Sequence, residues 1–285
     1  MNQVTNLSII VLTLNEEENI AQCLGSVADI SDDIFVVDSG STDRTLELAR
    51  RWTSNIVIHD FHGYSAQRNW ALRNLPFRYE WVLFLDADEF VSPELKNELH
   101  STLGGRTTVA GFYLPRKLIF QEKWIRFGGY YPTWILRLVK HRQATCEDRK
   151  VNEHLIVTGA TGKLRGDLIH NDKKGITAWI SRHNAYATLE ALELIESMER
   201  SPSNRNAVQP SFWSTQVERR RWLRERVWNR FPPLVRPCLY FIYRYFVLGG
   251  LLDGRAGFTY HFMQALWFPL LIDVKFLEMR RSGRR

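Results

Sequence analysis

Short apolar runs alternate with amphipathic stretches through the first hundred positions of the chain. Leu7–Leu14, Ile34–Val37, Asn55–His59 and Trp81–Leu85 read as strands. Glu16–Leu24, Arg44–Trp52, Ala66–Leu72 and Pro93–Leu103 read as the helices between them. Continuous apolar strands separated by helices predict a parallel sheet covered on both faces. Ligands of such sheets bind beyond the carboxyl ends of the strands, so the polar residues that end each strand are the first to inspect.

The pattern changes after Gly104. Gly111–Phe120, Trp134–Lys140 and Val151–Val157 read as strands between Gly- and Pro-containing turns, a mixed extension of the sheet. Ala178–Met198 predicts a long helix, Ser201–Pro210 a loop, and Gln216–Arg230 a basic helix. The expected division is an α/β part over 5–175 and a helical part over 176–285. No internal repeat is visible.

Composition sharpens this picture. The 285 residues are 45% hydrophobic and 24% charged, enough for a sizeable core and unlike a disordered tail or a disulfide mini-protein. The three cysteines, Cys23, Cys146 and Cys238, form no CxxC pair, which argues against a zinc finger and fits a reducing compartment. The amino-terminal apolar run Ser8–Leu12 is too short for a secretory leader. Charge is unevenly spread. Residues 1–100 carry 7 Lys/Arg against 16 Asp/Glu (net −9), and residues 101–285 carry 31 against 15 (net +16). The basic portion seeks an anionic partner, whereas the acidic portion would repel one unless a cation intervenes. Mg²⁺ or Mn²⁺ would resolve that conflict. Nucleic acid is not the expected partner, since no helix-turn-helix, RNA-recognition or finger signature is present.

The strand ends carry the acids. The first strand ends in Thr13-Leu14-Asn15-Glu16-Glu17, the second in Asp38-Ser39-Gly40-Ser41-Thr42-Asp43, and the fourth in Asp86-Ala87-Asp88-Glu89. Helix capping accounts for Ser41, Thr42 and Ser92. It does not account for Asp38, Asp86 or Asp88, which follow buried runs and need a ligand, a metal or a donor. Asp86 and Asp88 are two residues apart and share a face if extended. One of them can meet a hard divalent cation while the other reaches a ribose hydroxyl or a metal-bound water.

Taken in order, Thr13–Glu17, Val37–Asp43, Gln67-Arg68-Asn69 and Asp86-Ala87-Asp88 resemble the motif set of the family 2 glycosyltransferases. The resemblance covers roughly residues 5–170. It implies a GT-A fold: α/β, Rossmann-like, a mostly parallel sheet flanked by helices, here with a helical, amphipathic carboxy-terminal appendage. Tyr131-Pro132, Arg137-Leu138, Val151-Asn152-Glu153 and Gly249–Gly254 resemble the lipopolysaccharide-core glucosyltransferase type, with Asn152 and Leu251 where that type often has His and Phe. The resemblance implies that 5–175 is the nucleotide-sugar-binding catalytic domain. It places Asn15 and Glu17 near the donor nucleotide, Asp38 at the base, Asp86 at the ribose or a metal-bound water, and Asp88 on the metal. Gln67, Arg68 and Asn69 would line the nucleotide pocket, with Arg68 meeting phosphate charge, although Arg68 also reads as a solvated helix face. Glu153 lies where the family places its general base. Glu147 and Asp148 compete for that role, or form a solvated turn beside Arg149 and Lys150. His154 and His170 read as structural histidines or as site-lining residues, and His170 is a further metal candidate. Direct displacement would invert the anomeric centre.

Pro237–Phe268 holds ten aromatic residues in 32, interrupted by Arg244, Asp253 and Arg255. Its longest uncharged run, Ala256–Ile272, has 17 residues, the lower limit for a spanning helix. Flanked by Arg219–Arg221, Arg280-Arg281 and Arg284-Arg285, the segment reads as lying in an anionic interface, as a buried helical hairpin, or as both. The expected partners are a nucleotide-sugar donor, a saccharide or lipid-linked acceptor and an anionic membrane surface. The expected location is cytoplasmic, peripheral on the inner face of the cytoplasmic membrane. The alternatives are transfer to a polyprenyl phosphate and a non-catalytic, membrane-associated nucleotide-binding scaffold. A nucleotidyltransferase lacks support, because no Gly-rich phosphate loop is present.

Overall fold

The computed structural model describes residues 5–105, 107–147, 153–199 and 231–283. Val151, Asn152, Asp148, the expected 201–210 loop, the basic 216–230 helix and Arg284-Arg285 lie outside the described residues. The chain divides into two compact units. One comprises 1–119, 133–147 and 153–174; the other comprises 120–132, 148–152 and 175–285. Residues 120–132, which the sequence division leaves with the α/β part, therefore group with the helical unit.

The first unit is built on strands β1 (Leu7–Thr13), β2 (Asp33–Asp38), β3 (Asn55–Ile58), β4 (Trp81–Asp86), β5 (Glu89–Val91) and β6 (Gly111–Phe120). After β7 (Lys123–Trp124), which groups with the other unit, come β8 (Thr133–Lys140), β9 (Ala144–Cys146), β10 (Leu155–Val157), β11 (Thr161–Lys163) and β12 (Leu168–His170). The main sheet runs β3-β2-β1-β4-β8-β6-β12-β5, with β11 also beside β6; β9 and β10 form a separate antiparallel pair. Strands β1 to β4 are mutually parallel, and β8 is antiparallel to β4 and β6. This is the mixed, mostly parallel α/β sheet that the alternation predicts. Successive β1 side chains enter opposite cores. Leu7, Ile9 and Val11 pack with Leu83, Leu85 and Leu95 on one face, and Ile10 packs with Val37, Phe84 and Leu72 on the other.

Helices α1 (Ile20–Gly25), α2 (Thr45–Ala49), α3 (Tyr64–Asn74) and α4 (Pro93–Leu103) connect the strands. The ends of α4 match expectation because Ser92 accepts from the Leu95 N–H at 3.2 Å and Pro93 occupies the first turn. Helix α1 begins later than expected. Asn19 spends its amide on Glu16 and Asp172 (2.8 and 3.2 Å), so residues 17–19 form a turn instead.

The second unit contains α5 (Gly175–Glu199), α6 (Val235–Ile242), α7 (Gly254–His261) and α8 (Phe268–Ser282). Wider π turns follow α6 (Tyr243–Val247) and α7 (Phe262–Trp267). Helices α5 and α8 pack together. Lys275 ties them by donating to the Asn184 carbonyl and the Thr188 hydroxyl at 2.9 and 2.6 Å. His261, wholly buried, is packed tightly beside Gly128 and Gly250, where an added Cβ would overlap its ring. Among the described residues no helix is long and apolar enough to cross a membrane.

Candidate active site at the strand rim

Register brings the strand-end acids to one rim. Thr13 of β1 pairs with Asp38, and Leu12 pairs with Asp86. Asn15, just past β1, adopts a left-handed backbone (φ 52°), which Asn tolerates better than most residues. Its N–H donates to Ser41 Oγ and its Oδ1 accepts from the Thr42 N–H, each at 2.8 Å. Glu17 pairs with Arg44 at 3.2 Å on the surface.

Asp38 is fully buried, and both of its oxygens serve the turn that follows. Oδ2 accepts from the Gly40 and Ser41 N–H groups (2.9 and 2.8 Å), and Oδ1 accepts from the Ser41 hydroxyl (2.5 Å). Of the ligand, metal or donor that a buried Asp38 needs, local turn chemistry supplies the donors. Gln67 is held by His59 (2.7 Å) and Ser39 (3.2 Å). Asn69 points elsewhere. It exchanges hydrogen bonds with the Cys146 backbone (2.8 and 2.9 Å) and so anchors β9. Successive helical residues point about 100° apart, so the triplet Gln67-Arg68-Asn69 does not face one pocket.

Arg68 is the centre of the site. It is buried, not solvated; one arm pairs with Glu153 and the other with Asp86 Oδ1 at 2.9 Å. The second Asp86 oxygen pairs with Arg137 of β8, which also holds Glu89 at 3.1 Å. Burial would raise the Asp86 carboxyl, but Arg137 and Arg68 outweigh it and hold it well below the ordinary carboxylate range. Burial prevails at Glu89, whose carboxyl is raised.

Asp88 faces another partner. Strand β12 runs antiparallel to β5 with His170 opposite Glu89, which places His170 Nδ1 3.3 Å from Asp88 Oδ1. Burial works to raise Asp88, but His170 lowers it overall; His170 is in turn raised by Asp88 against its own burial. Despite that proximity, His170 Nδ1 makes no hydrogen bond of good geometry. A buried nitrogen without a directed partner, next to a carboxylate, fits a shared ligand. Among the described residues no group of three or more His, Cys, Asp or Glu side chains is placed to hold a metal. An ion held by Asp88 and His170 alone would have to fill the rest of its shell with phosphate and water. Asp86, taken up by two arginines, is not free for that role.

Glu153 is nearly buried, with 10% of its side chain exposed. Its competitor Glu147 is fully buried and bonded to His154 Nδ1 at 2.7 Å, so it does not belong to a solvated turn. Sequence reasoning did not assign Arg137, Glu89 and Lys174 to the site. Lys174 pairs with Glu16 at the end of β1. Arg137 and Glu89 lie inside the motifs Arg137-Leu138 and Asp86–Glu89, and the signal that marks them is that a buried Asp86 needs cations to balance it.

Residues 8–146 match the model of glycosyl transferase family 2. Over 278 residues the chain is 26% identical to a lipopolysaccharide core biosynthesis glycosyltransferase of Rhizobium meliloti (strain 1021), covering 91% of this chain and 90% of that one. It is 25% identical over 218 residues to an uncharacterized glycosyltransferase of Rickettsia typhi, covering 73% and 74% of the two chains. Among solved structures, the mannosyltransferase PcManGT from Pyrobaculum calidifontis, in complex with GDP-Man and Mn²⁺, aligns over 99% of this chain and 89% of its own. That likeness has 14% identity and a TM-score of 0.49.

Proposed function

This chain belongs to the family 2 glycosyltransferases, and from that premise we propose that it moves a hexose from a nucleotide-sugar donor to a lipid-linked or lipopolysaccharide-core saccharide, with inversion. The observation that carries this reading is the Arg68 fork. One buried guanidinium joins the strand-end acid Asp86 to the acid Glu153, with Asp88 and His170 alongside. The lipopolysaccharide-core relative supports the acceptor class. A lipid-linked acceptor would put the reaction at a membrane surface.

In this reading Glu153 takes the proton of the acceptor hydroxyl. The acceptor oxygen bonds to the anomeric carbon, and the bond from that carbon to the diphosphate breaks, with its electron pair leaving on the diphosphate. Arg68 holds Glu153 in place, and it offers positive charge to the diphosphate. Asp86 anchors Arg68 and Arg137. The Asp38 turn and Gln67 shape the nucleotide end, while Asn15 and Glu17 border it. Asp88 and His170 would hold Mg²⁺ or Mn²⁺, which when bound supplies Lewis-acid stabilisation of the leaving diphosphate. His170 would ligate only through an unprotonated ring nitrogen.

The test is incubation of the full chain with a panel of nucleotide sugars, a divalent cation and a lipopolysaccharide-core extract, with the product anomer read by NMR. Acceptor-dependent release of nucleoside diphosphate with an inverted product supports the reading. Retention at the anomeric carbon, or nucleotide binding without turnover, refutes it.

A further inference from the structure

Helix α6 and the π turn after it are built inside out. Arg236, Tyr240 and Arg244, spaced four residues apart, are drawn toward the protein. Arg236 pairs with buried Asp273 at 2.9 and 3.0 Å, while Arg244 donates to the Gly128 carbonyl at 2.7 Å and lies 3.6 Å over the Tyr130 ring. The opposite stripe, Leu239, Ile242, Tyr243, Phe246 and Val247, faces outward at helical spacing. Phe246 is 57% exposed, Val247 69%, and Leu252 in the following turn 63%. Asp253 is also drawn in, capping the Arg126 and Phe127 N–H groups at 3.1 and 2.9 Å. Of the three charges that interrupt Pro237–Ile272 in sequence, Arg255 alone remains on the surface.

Water does not favour this arrangement, since each large apolar side chain on the stripe gives up its transfer free energy. A lipid interface does. Arg255 borders a shallow cleft of about 550 Å³ that is lined by Tyr245, Leu251, Phe258 and Thr259, an apolar recess with a cation at its edge. Arg280 and Arg281 add exposed positive charge at the end of α8, and residues 101–285 carry a net +16. The complement is an anionic, amphiphilic surface. Because no described helix is long enough to span, the segment would lie in the surface and not cross it.

We propose that the outward face of Leu239–Leu252 docks the protein on an anionic phospholipid bilayer, with its apolar stripe in the headgroup boundary and Arg255 at a lipid phosphate. This names the surface on which the proposed acceptor would be met and rests on that reading for its purpose. The docking itself is measured without any acceptor.

The test is flotation of the full chain with phosphatidylglycerol-containing vesicles and with phosphatidylcholine vesicles, at low and high salt. The wild type should bind the anionic vesicles. Val247→Asp combined with Leu252→Asp should lower partition roughly tenfold or more while leaving acceptor-independent donor hydrolysis unchanged. Arg255→Gln should narrow the preference for anionic lipid by roughly fivefold. Hydrogen exchange on the wild type, which needs no variant, should show protection of 239–252 on vesicles. Failure of the wild type to bind anionic vesicles, normal binding by the double-Asp variant, or protection confined to other segments would overturn the docking surface. So would a dimer that the same variant dissociates without any vesicle binding, because a second copy would then be the occupant.

Discussion

Replacing Glu153 with Gln tests the chemistry most sharply. Gln keeps the shape of the side chain and an oxygen for Arg68, but it cannot take a proton at neutral pH. The side chain is nearly buried and paired with a guanidinium, so water is a poor substitute as base. General-base catalysis is worth about 10²–10⁴ in rate, or about 2.7–5.5 kcal/mol of barrier. Single-turnover transfer at saturating donor should therefore slow by that factor, with donor affinity unchanged. Glu147→Gln is the control. It weakens a buried bond to His154, so it should cost about 1–3 kcal/mol of stability and leave the rate of the folded fraction near normal. Normal turnover by the Glu153→Gln protein would refute the assignment. Loss of transfer in Glu147→Gln without loss of stability would move the base to Glu147.

Three further outcomes follow from burial and charge. Arg137→Met leaves buried Glu89 without its ion-pair partner and Asp86 with Arg68 alone. It should cost about 3–5 kcal/mol in denaturant unfolding, and a loss under about 1 kcal/mol would mean the network is not needed for stability. His261 is wholly buried, and burial and then Arg244 push its pKa down from 6.5 to about 4. The unfolded chain then binds the proton more readily, so stability is complete above pH 6.5 and falls as pH drops toward 4, by at most about 3 kcal/mol. His261→Gln should flatten that part of the Tm–pH curve, and an unchanged slope would contradict the cause. Gly250→Ala pushes a methyl into the His261 ring and should cost about 1–3 kcal/mol by thermal melt, whereas an unchanged Tm would show that the packing has slack.

Strands β1, β2 and β4 were legible in the sequence because they are buried on both faces and read as apolar runs. Gly111–Phe120 and Pro93–Leu103 coincide with β6 and α4. Strands β5, β9 and β11 were not legible, since three residues make no period. Strand β12 was visible only as Leu168-Ile169, yet its pairing with β5 is what delivers His170 to Asp88. Asp38 and Asp86 could be found because each ends an apolar run, whereas Glu153 was found through the family resemblance alone. Their cations could not, because Arg68 looks like a surface helix residue and Arg137 lies 51 residues beyond Asp86 in sequence. Asn69 misled because a motif lists neighbours in the chain, whereas a helix points them in different directions. The three charges in Pro237–Ile272 were visible as letters, but which way they turn depends on Gly128, Tyr130 and the Arg126–Phe127 backbone, far off in the chain.

A divalent ion and a diphosphate must complete the charge balance beside Asp88 for transfer to proceed as proposed. Calorimetric titration of a nucleoside diphosphate into the full chain, with and without Mn²⁺, tests this directly, with Asp88→Asn as the comparison. Binding should be tight with Mn²⁺ and much weaker without it, and that difference should be lost in the variant. Equal binding with and without the ion, or an Mn²⁺ effect that survives in Asp88→Asn, would contradict that charge balance.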